Sequence, residues 1–170
     1  MLYSIQLVLS VQILDTSTNS LTEAEILLAE GIRMPLKKDG WNFNWRYLVR
    51  GTSSEAYVLR TIGAKTVEGV LLLKIVNEML VMDVIEIAPH NVGRKDKRYD
   101  YVAGCLIAFA CRKSFEIPGD YRGFLTFESK TNLIDWYIHK YGAENTKGHR
   151  MYISPEKGED LINSYLVRPI

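Results

Sequence analysis

The sequence contains few cysteines and no long apolar run, and these shortages exclude several classes of protein. Its two cysteines, Cys105 and Cys111, lie six residues apart on one predicted helix, so they point to different sides and cannot bridge each other. Two such thiols are typical of a reducing cytosol. The apolar N-terminal stretch lacks a basic region and a cleavage site, which favours a first strand over a signal peptide. No segment reaches the roughly 18 uninterrupted apolar residues of a membrane helix. We therefore expect a cytoplasmic protein without a membrane partner.

Net charge and histidine are also scarce. The net charge of +1 gives no overall attraction to nucleic acid, so any such attraction has to be local. The three histidines, His90, His139 and His149, are scattered and lack companion ligands at useful spacing, so we expect no metal site. The sequence has no serine-nucleophile elbow and no Walker-type lysine loop. What is present is a chain of 170 residues, 47% hydrophobic, which predicts one compact domain over residues 1–170.

Hydrophobic periodicity predicts several strands in the first half of the chain. We expect strands at Ile5–Ile13, Tyr47–Arg50, Ala56–Thr61, Glu68–Val76 and Leu80–Ala88. Asn77 and Glu78 form a two-residue turn, which makes the last two strands an antiparallel hairpin. Pro89 ends the second of them.

One helix is predicted in this half, and one segment has no assignment. Ser20 or Thr22 is positioned to cap a short helix over Glu23–Glu30, which Gly31 would end. The segment 32–45 contains Trp41, Phe43 and Trp45. These aromatic residues are consistent with a wall of an acceptor pocket, although buried core is their more common role.

The second half alternates helices and strands. Helices are predicted from about Tyr99 to Phe115, over Lys130–Tyr141 with Gly142 as its stop, and over Pro155–Leu166. Strands are predicted at Gly123–Phe127 and Arg150–Ile153. Antiparallel strands followed by a strand–helix–strand–helix–strand order predict an α/β (α+β) fold with a mixed sheet.

The stretch Met79–Ser114 has a chemical meaning of its own. A buried strand, a polar loop with several cations and a helix start follow one another in it. The first N–H groups of a helix have no partner within the helix, and the helix dipole is positive at that end. A strand, loop and helix start in this order therefore predict an anion-binding site.

The same stretch resembles the GNAT superfamily of N-acetyltransferases. The resemblance covers roughly Val67–Ile153 and rests on the order strand, Ala-Pro, polar loop, Tyr-x-x-Val-Ala, long apolar helix, short strand and helix ending Tyr-x-x-x-x-Gly-Ala. The loop pattern of the superfamily, Gln/Arg-x-x-Gly-x-Gly/Ala, is best matched by Arg98–Ala103, with Tyr101 where glycine is expected. The resemblance implies a mostly antiparallel central sheet flanked by helices, with a splayed strand pair.

The resemblance also implies where acetyl-CoA would bind. Its pyrophosphate would lie on the backbone amides of Arg98, Tyr99, Asp100, Tyr101, Val102, Ala103 and Gly104. Arg94, Lys95 and Lys97 would add positive charge, although a solvated basic loop would have the same composition. The backbone at Ile85 and Ile87 would pair with the pantetheine arm as an added strand does. Lys130 or Thr131 would contact pantetheine, or would simply be a helix-start residue.

The proton-transfer groups are less defined. Carry-over from the superfamily makes Tyr137 the candidate general acid for the CoA thiolate, with Tyr141 and Trp136 as rivals and a core tyrosine as the plain alternative. Glu86 and Asp83 are carboxylates within an apolar strand, and burial there would suit a base. Three positions apart, they point to opposite faces, so at most one faces a given pocket. We take Glu86 as the candidate base, while a paired or solvent-facing carboxylate is an equally good interpretation.

The function that the resemblance implies is acetyl transfer from acetyl-CoA to a primary amine, by direct attack in a ternary complex. The acceptor is a small molecule or a protein, and a homodimer is left open. One alternative is a GNAT-fold binding or regulatory protein that catalyses nothing. Another is a nucleic-acid-binding protein that uses the Arg94–Arg98 cluster with Tyr99 and Tyr101 for stacking, although the near-neutral net charge argues against it.

Overall fold

The structure is a computed structural model that describes residues 8–50, 53–93 and 95–167. Within these residues, the strands are β1 (Leu9–Asp15), β2 (Ser20–Leu28), β3 (Glu55–Thr61), β4 (Val67–Val76), β5 (Met79–Ile87), β6 (Tyr99–Asp100), β7 (Leu125–Glu128), β8 (Glu144–Asn145) and β9 (Arg150–Ile153). The helices are α1 (Trp45–Leu48), α2 (Val102–Ser114), α3 (Ile134–Tyr141) and α4 (Pro155–Tyr165). The strand order is β6-β1-β2-β3-β4-β5-β7-β9-β8. The predicted mixed, mostly antiparallel sheet with flanking helices is confirmed.

The chain groups into two compact units. Unit 1 comprises Met1–Leu72 and Ile85–Ala103, and unit 2 comprises Leu73–Val84 and Gly104–Ile170. The single domain expected over residues 1–170 stays a prediction, and each unit is described in turn.

Unit 1 is built on the antiparallel strands β6, β1, β2 and β3. The β1–β2 register runs from Leu9↔Ile26 to Asp15↔Ser20, and Asn19 in the connecting turn has a φ of +53°. Short β6 continues the sheet beyond β1. The predicted first strand is found from Leu9 onward, whereas its first residues, including Ile5 and Leu7, lie outside the described residues.

The helix predicted over Glu23–Glu30 is wrong, because this segment forms β2. Ala24 and Ile26 are fully buried, and this alternation has the period of a strand rather than of a helix. Gln12 on β1 donates a hydrogen bond to the Glu23 carboxylate across the pair. Glu, Ala and Leu are good helix formers, but cross-strand burial outweighs a propensity of a few tenths of a kcal/mol per residue.

The strand predicted at Tyr47–Arg50 is also wrong, because this segment belongs to α1 and the turn after it. The Asn44 carbonyl accepts from the amides of Tyr47 and Leu48, which closes a helical turn. Trp45 at the start of the turn is fully buried. Tyr47 and Val49 are residue types that favour strands, but that preference depends on having a sheet to pack against.

Unit 2 contains the predicted second half of the fold. β5 and β7 run parallel, and β7, β9 and β8 continue antiparallel. Within unit 2 the β5–β7 register consists of Leu80↔Leu125 and Val81↔Thr126, although both strands continue further. This early end of pairing is what a splayed strand pair predicts.

The predicted turns and helix ends of unit 2 are confirmed. Asn77 and Glu78 have φ values of +51° and +66°, as a two-residue hairpin turn requires. Gly142 ends α3 with a φ of +68°. The Ser154 side chain accepts from the Lys157 amide and caps α4, whose first residue is Pro155.

Helix α2 is buried on nearly every side. From Val102 to Cys111 only Ala103 is partly accessible, and Arg112 is the first exposed residue. Of the helices in the described residues, none is long and apolar enough to span a membrane.

Candidate functional site

The loop after β5 is held at its base by a buried carboxylate. Glu68 is 1% exposed, and its Oε1 accepts from His90 Nε2 at 2.5 Å and from Asn91 Nδ2 at 3.0 Å. Asn91 Oδ1 in turn accepts from the Tyr99 amide at 2.9 Å, and the His90 carbonyl accepts from the Arg98 amide at 2.8 Å. These hydrogen bonds therefore hold the two ends of the loop together before α2 begins.

The role of Glu68 was not predicted, although the sequence contained a signal for it. A hairpin whose two-residue turn is Asn77-Glu78 places position 68 opposite position 87. The Ala88 amide indeed donates to the Glu68 carbonyl at 2.8 Å. Counting from the turn therefore brings this acidic residue beside His90 and Asn91.

The Arg98 side chain is engaged within unit 1. Its Nη1 donates to Asp15 Oδ1 at 2.7 Å and to Ser17 Oγ at 3.0 Å, and its guanidinium lies 4.8 Å from the centre of the Tyr99 ring. Hydrogen bonds from Ser17, with a further contribution from the charge of Arg98, lower the pKa of Asp15. Arg98 thus ties the β1–β2 hairpin to the loop.

The other residues of the predicted basic cluster are only partly available to bind a ligand. Lys97 pairs with Asp100 at 3.6 Å, and Lys95 is exposed. Arg94 lies outside the described residues. With Arg98 and Lys97 both engaged by carboxylates, the observed contacts weaken the nucleic-acid alternative.

The predicted phosphate loop divides into two parts. Tyr99 and Asp100 form β6, paired with β1, and the Tyr101 amide donates to Asp100 Oδ1 at 2.8 Å. Val102, Ala103 and Gly104 open α2, where helical N–H groups have no acceptor within the helix. The amides suited to an anion are therefore those of the first turn of α2.

Tyr101 adopts the conformation of a glycine. Its φ of +75° lies in the left-handed region that non-glycine residues rarely occupy. This is the position where the superfamily pattern has glycine. A glycine would adopt this backbone conformation without steric cost.

Gly104 has a packing role within unit 2. A Cβ built on it would lie 2.2 Å from the ring of Tyr165, at the end of α4. Any larger residue at this position would displace that ring.

Tyr137 lies on α3 in unit 2 and is 7% exposed. Its ring centre is 4.7 Å from that of Phe127 and 4.9 Å from that of Trp136. Burial raises the pKa of the Tyr137 phenol above its ordinary value of 10.0. In the described part of the chain its hydroxyl has no hydrogen-bond partner, and every fully buried side-chain oxygen there has one. The hydroxyl must therefore reach solvent.

The rivals of Tyr137 lie in different surroundings. Trp136 is 38% exposed, whereas Tyr141 is 2% exposed. The two rings meet edge-on with their centres 5.1 Å apart.

Glu86 is buried and accepts three N–H groups. The amides of Asn42 and Phe43 donate to it at 2.6 and 3.3 Å, and Trp45 Nε1 donates at 2.9 Å. Glu86 thus fixes the aromatic segment that the sequence left unassigned. Asp83, three residues earlier, is exposed and pairs with Lys74 at 3.1 Å. The predicted difference in orientation between the two carboxylates is confirmed.

Two of the residues expected to contact pantetheine lie on a predicted strand. Ile85 and Ile87 are in the final part of β5, and both side chains are half-buried. Lys130 follows β7, and Thr131 begins a short 3₁₀ turn after it. Lys130 also lines a groove of about 630 Å³ together with Glu128, Ser129, Lys147, His149 and Arg150. This groove was not predicted, although the three basic side chains within Lys147–Arg150 indicate a local concentration of positive charge.

No other chemistry emerges from the remaining candidates. Within the described residues, no group of histidine, cysteine and acidic side chains could hold a metal ion. Cys105 and Cys111 are both buried and form no disulfide. Burial raises the pKa of Cys111 to about 12, so it is a poor nucleophile.

Comparison with solved structures tests the fold. A crystal structure of AtaTR bound with AcCoA is similar over 82% of this chain and 98% of that chain, at 12% identity and a TM-score of 0.56. The chain has a GNAT-like fold. Nourseothricin acetyltransferase matches over 88% of this chain and 86% of its own, at 16% identity and a TM-score of 0.40. No family model matches the sequence, and no curated protein does. At such identities the GNAT-like fold establishes architecture and not activity.

Proposed function

We propose that this protein is an acetyl-CoA-dependent N-acetyltransferase that acts on a primary amine. The observation that carries the proposal is Tyr137, a buried phenol with a raised pKa and a hydroxyl without a protein partner in the described residues. Such a group stays protonated at neutral pH and has its proton available. The similar structure of AtaTR contains AcCoA, which supports acetyl-CoA as the donor here.

The reaction needs no covalent enzyme intermediate. The amine nitrogen attacks the thioester carbonyl carbon, a C–N bond forms and the C–S bond breaks. The departing thiolate takes the proton of the Tyr137 hydroxyl, and the amine gives up its own proton to a base or to water. The protein's contribution is to position the two substrates and to manage these two protons.

Acetyl-CoA would be held by backbone more than by side chains. Amides of the first turn of α2, from Val102 to Gly104, would face the pyrophosphate. The backbone at Ile85 and Ile87 would pair with pantetheine, and Lys130 would contact it after β7. The positive φ of Tyr101 supports this alignment with the superfamily pattern.

Glu86 has a positioning role whether or not it takes a proton. Its three N–H donors hold the aromatic segment from Asn42 to Trp45 in place. The buried thiols of Cys105 and Cys111 are consistent with the cytoplasmic location proposed here.

The experiment measures release of the CoA thiol with a panel of primary amines. Tyr137→Phe removes the acid while keeping the ring, so we expect kcat to fall by about 10²- to 10⁴-fold. Tyr121→Phe, at a 45% exposed tyrosine, is the matched control and should leave kcat unchanged. Equal kcat in the Tyr137→Phe and wild-type proteins would remove Tyr137 from the mechanism. No release with any amine, despite acetyl-CoA binding, would favour the non-catalytic alternative.

The pH profile provides a second readout of the same residue. A raised pKa keeps the Tyr137 phenol protonated to higher pH than an ordinary tyrosine. The wild-type rate should therefore show no alkaline decline from loss of this acid until the pH exceeds about 10. A decline from this group between pH 7 and 9 would contradict the assignment.

A further inference from the structure

The groove beside β7 is lined mainly by cations that a rigid turn holds in place. Asn145 Nδ2 donates to the carbonyls of Gly148 and Arg150 at 3.0 and 3.1 Å, and the Thr146 amide donates to the Arg150 carbonyl at 3.0 Å. Gly148 supplies a left-handed turn with a φ of +62°. These hydrogen bonds fix the backbone that carries Lys147, His149 and Arg150.

The charges of the groove are not neutralised by the protein. Among the described residues, none of Lys130, Lys147 and Arg150 has an acidic side chain within ion-pair distance, and Glu128 has no cation there. This holds even though Glu128 and Arg150 are cross-strand partners. The groove thus presents three cations and one carboxylate to whatever enters it.

His149 adds a proton acceptor to the same groove. Its Nδ1 lies 2.9 Å from the Ser129 carbonyl oxygen. A carbonyl can only accept, so Nδ1 carries the hydrogen. In the neutral ring the lone pair is then on Nε2, at the opposite side of the imidazole.

We propose that this groove is the acceptor site and that the acceptor is a small primary amine carrying a phosphate or carboxylate group. Lys147 and Arg150 bind the anionic group, because charge-assisted hydrogen bonds to such groups are the strong ones. Glu128 attracts the ammonium, and His149 Nε2 removes one proton from it, which frees the lone pair for attack. The second N–H proton passes to water as the C–N bond forms. A volume of about 630 Å³ is within the range of small-molecule sites.

The groove and the surroundings of the proposed general acid share strand β7. Phe127, whose ring packs on Tyr137 with centres 4.7 Å apart, directly precedes Glu128 in β7. The inference rests on the proposed function, since it names the acceptor of the same transfer. The inference goes beyond the proposed function because it gives a role in acceptor binding to charged side chains that lie outside the first turn of α2 and outside β5.

The test compares three amines of similar size in binding and in CoA-thiol release. O-Phosphoethanolamine carries a phosphate, β-alanine carries a carboxylate, and ethanolamine carries neither. We expect at least one anionic amine to bind, and to react with a kcat/KM about tenfold or more above that of ethanolamine. The anionic amine with the higher kcat/KM shows whether the recognised group is a phosphate or a carboxylate.

Variants assign that preference to the groove. Lys147→Gln with Arg150→Gln should remove most of the preference while leaving the acetyl-CoA-induced rise in Tm unchanged. The control, Lys65→Gln with Arg112→Gln, removes two exposed cations elsewhere and should preserve the preference. His149→Gln should lower kcat with anionic amines more than it changes their binding.

Distinct results overturn the inference and the proposed function. Equal binding of all three amines, or a preference that survives in the Lys147→Gln, Arg150→Gln protein, overturns the anionic-acceptor assignment alone. If acetyl-CoA no longer raises the Tm of that double variant, Lys147 and Arg150 bind the CoA phosphates and not the acceptor. Tighter binding of an oligonucleotide than of the small amines would overturn the small-molecule assignment. Failure of acetyl-CoA to bind the wild-type protein would overturn the proposed function itself.

Discussion

At the scale of single residues, several side chains of the candidate site are constrained by the backbone around them. Tyr101 has a positive φ, and its amide is bound by the neighbouring Asp100 carboxylate. A non-glycine residue in the left-handed region costs about 1–2 kcal/mol. The chain accepts this cost at the residue that directly precedes α2, where the turn into the helix needs that geometry.

The Tyr101 conformation predicts an unusual order of substitutions. Tyr101→Gly should be more stable than Tyr101→Ala by about 1 kcal/mol, because both lose the ring and only alanine retains the strained Cβ. Urea unfolding of the two variants measures the difference. Within regular structure alanine is ordinarily more stabilising than glycine. A Tyr101→Ala protein that is more stable than Tyr101→Gly would therefore contradict the left-handed backbone at this position.

At the scale of elements, α2 and α4 are fitted to each other through a single glycine. The ring of Tyr165 on α4 occupies the space that a Cβ on Gly104 would need. This contact lies in the same first turn of α2 that we propose for the pyrophosphate. Gly104 therefore has a packing reason to be glycine, independent of any phosphate binding.

Adding one methyl group at Gly104 should therefore destabilise the protein. Gly104→Ala should lower the free energy of unfolding by about 1–3 kcal/mol, since overpacking outweighs the better helix propensity of alanine. Gly158→Ala is the matched control: it is also a helical glycine of unit 2, but its Cβ would meet Cys111 at an ordinary 3.4 Å. The control should be neutral or slightly stabilising, and equal effects of the two substitutions would contradict the packing.

Elements with strong local signals could be predicted from the sequence, and elements that depend on a partner could not. Asn77-Glu78, Pro89, Gly142 and Pro155 marked turns and ends by intrinsic backbone preferences. β2 was predicted as a helix because Glu, Ala and Leu favour helices, and only pairing with β1 makes it a strand. The strand predicted at Tyr47–Arg50 is wrong for a related reason, since the strand preference of tyrosine and valine has no effect without a neighbouring strand.

The candidate site shows the same division. Tyr137, Ile85 and the start of α2 lie on elements whose order resembles the superfamily, so their positions could be anticipated. The three N–H donors to Glu86, the Glu68–His90 contact and the groove at Lys147–Arg150 join residues that are distant in sequence. Single-sequence periodicity does not report such contacts.

At the scale of the whole molecule, a net charge of +1 conceals local differences. Arg98 and Lys97 are matched by Asp15 and Asp100, whereas the cations of the groove are unmatched among the described residues. Charge is thus available for a ligand at one place and used for structure at another. We propose that a protein with this GNAT-like fold binds acetyl-CoA.

The most direct test of that claim is the change in Tm on adding acetyl-CoA. A ligand at 100 times its Kd stabilises the folded state by about 2.7 kcal/mol, which corresponds to a rise of several degrees for a chain of this size. Ala103→Trp, at the first turn of α2, should abolish the rise, whereas Arg112→Trp at the exposed end of the same helix should retain it. We expect acetyl-CoA to raise the Tm of the wild-type and Arg112→Trp proteins and to leave the Tm of Ala103→Trp unchanged. An unchanged Tm of the wild-type protein at millimolar acetyl-CoA would contradict that claim.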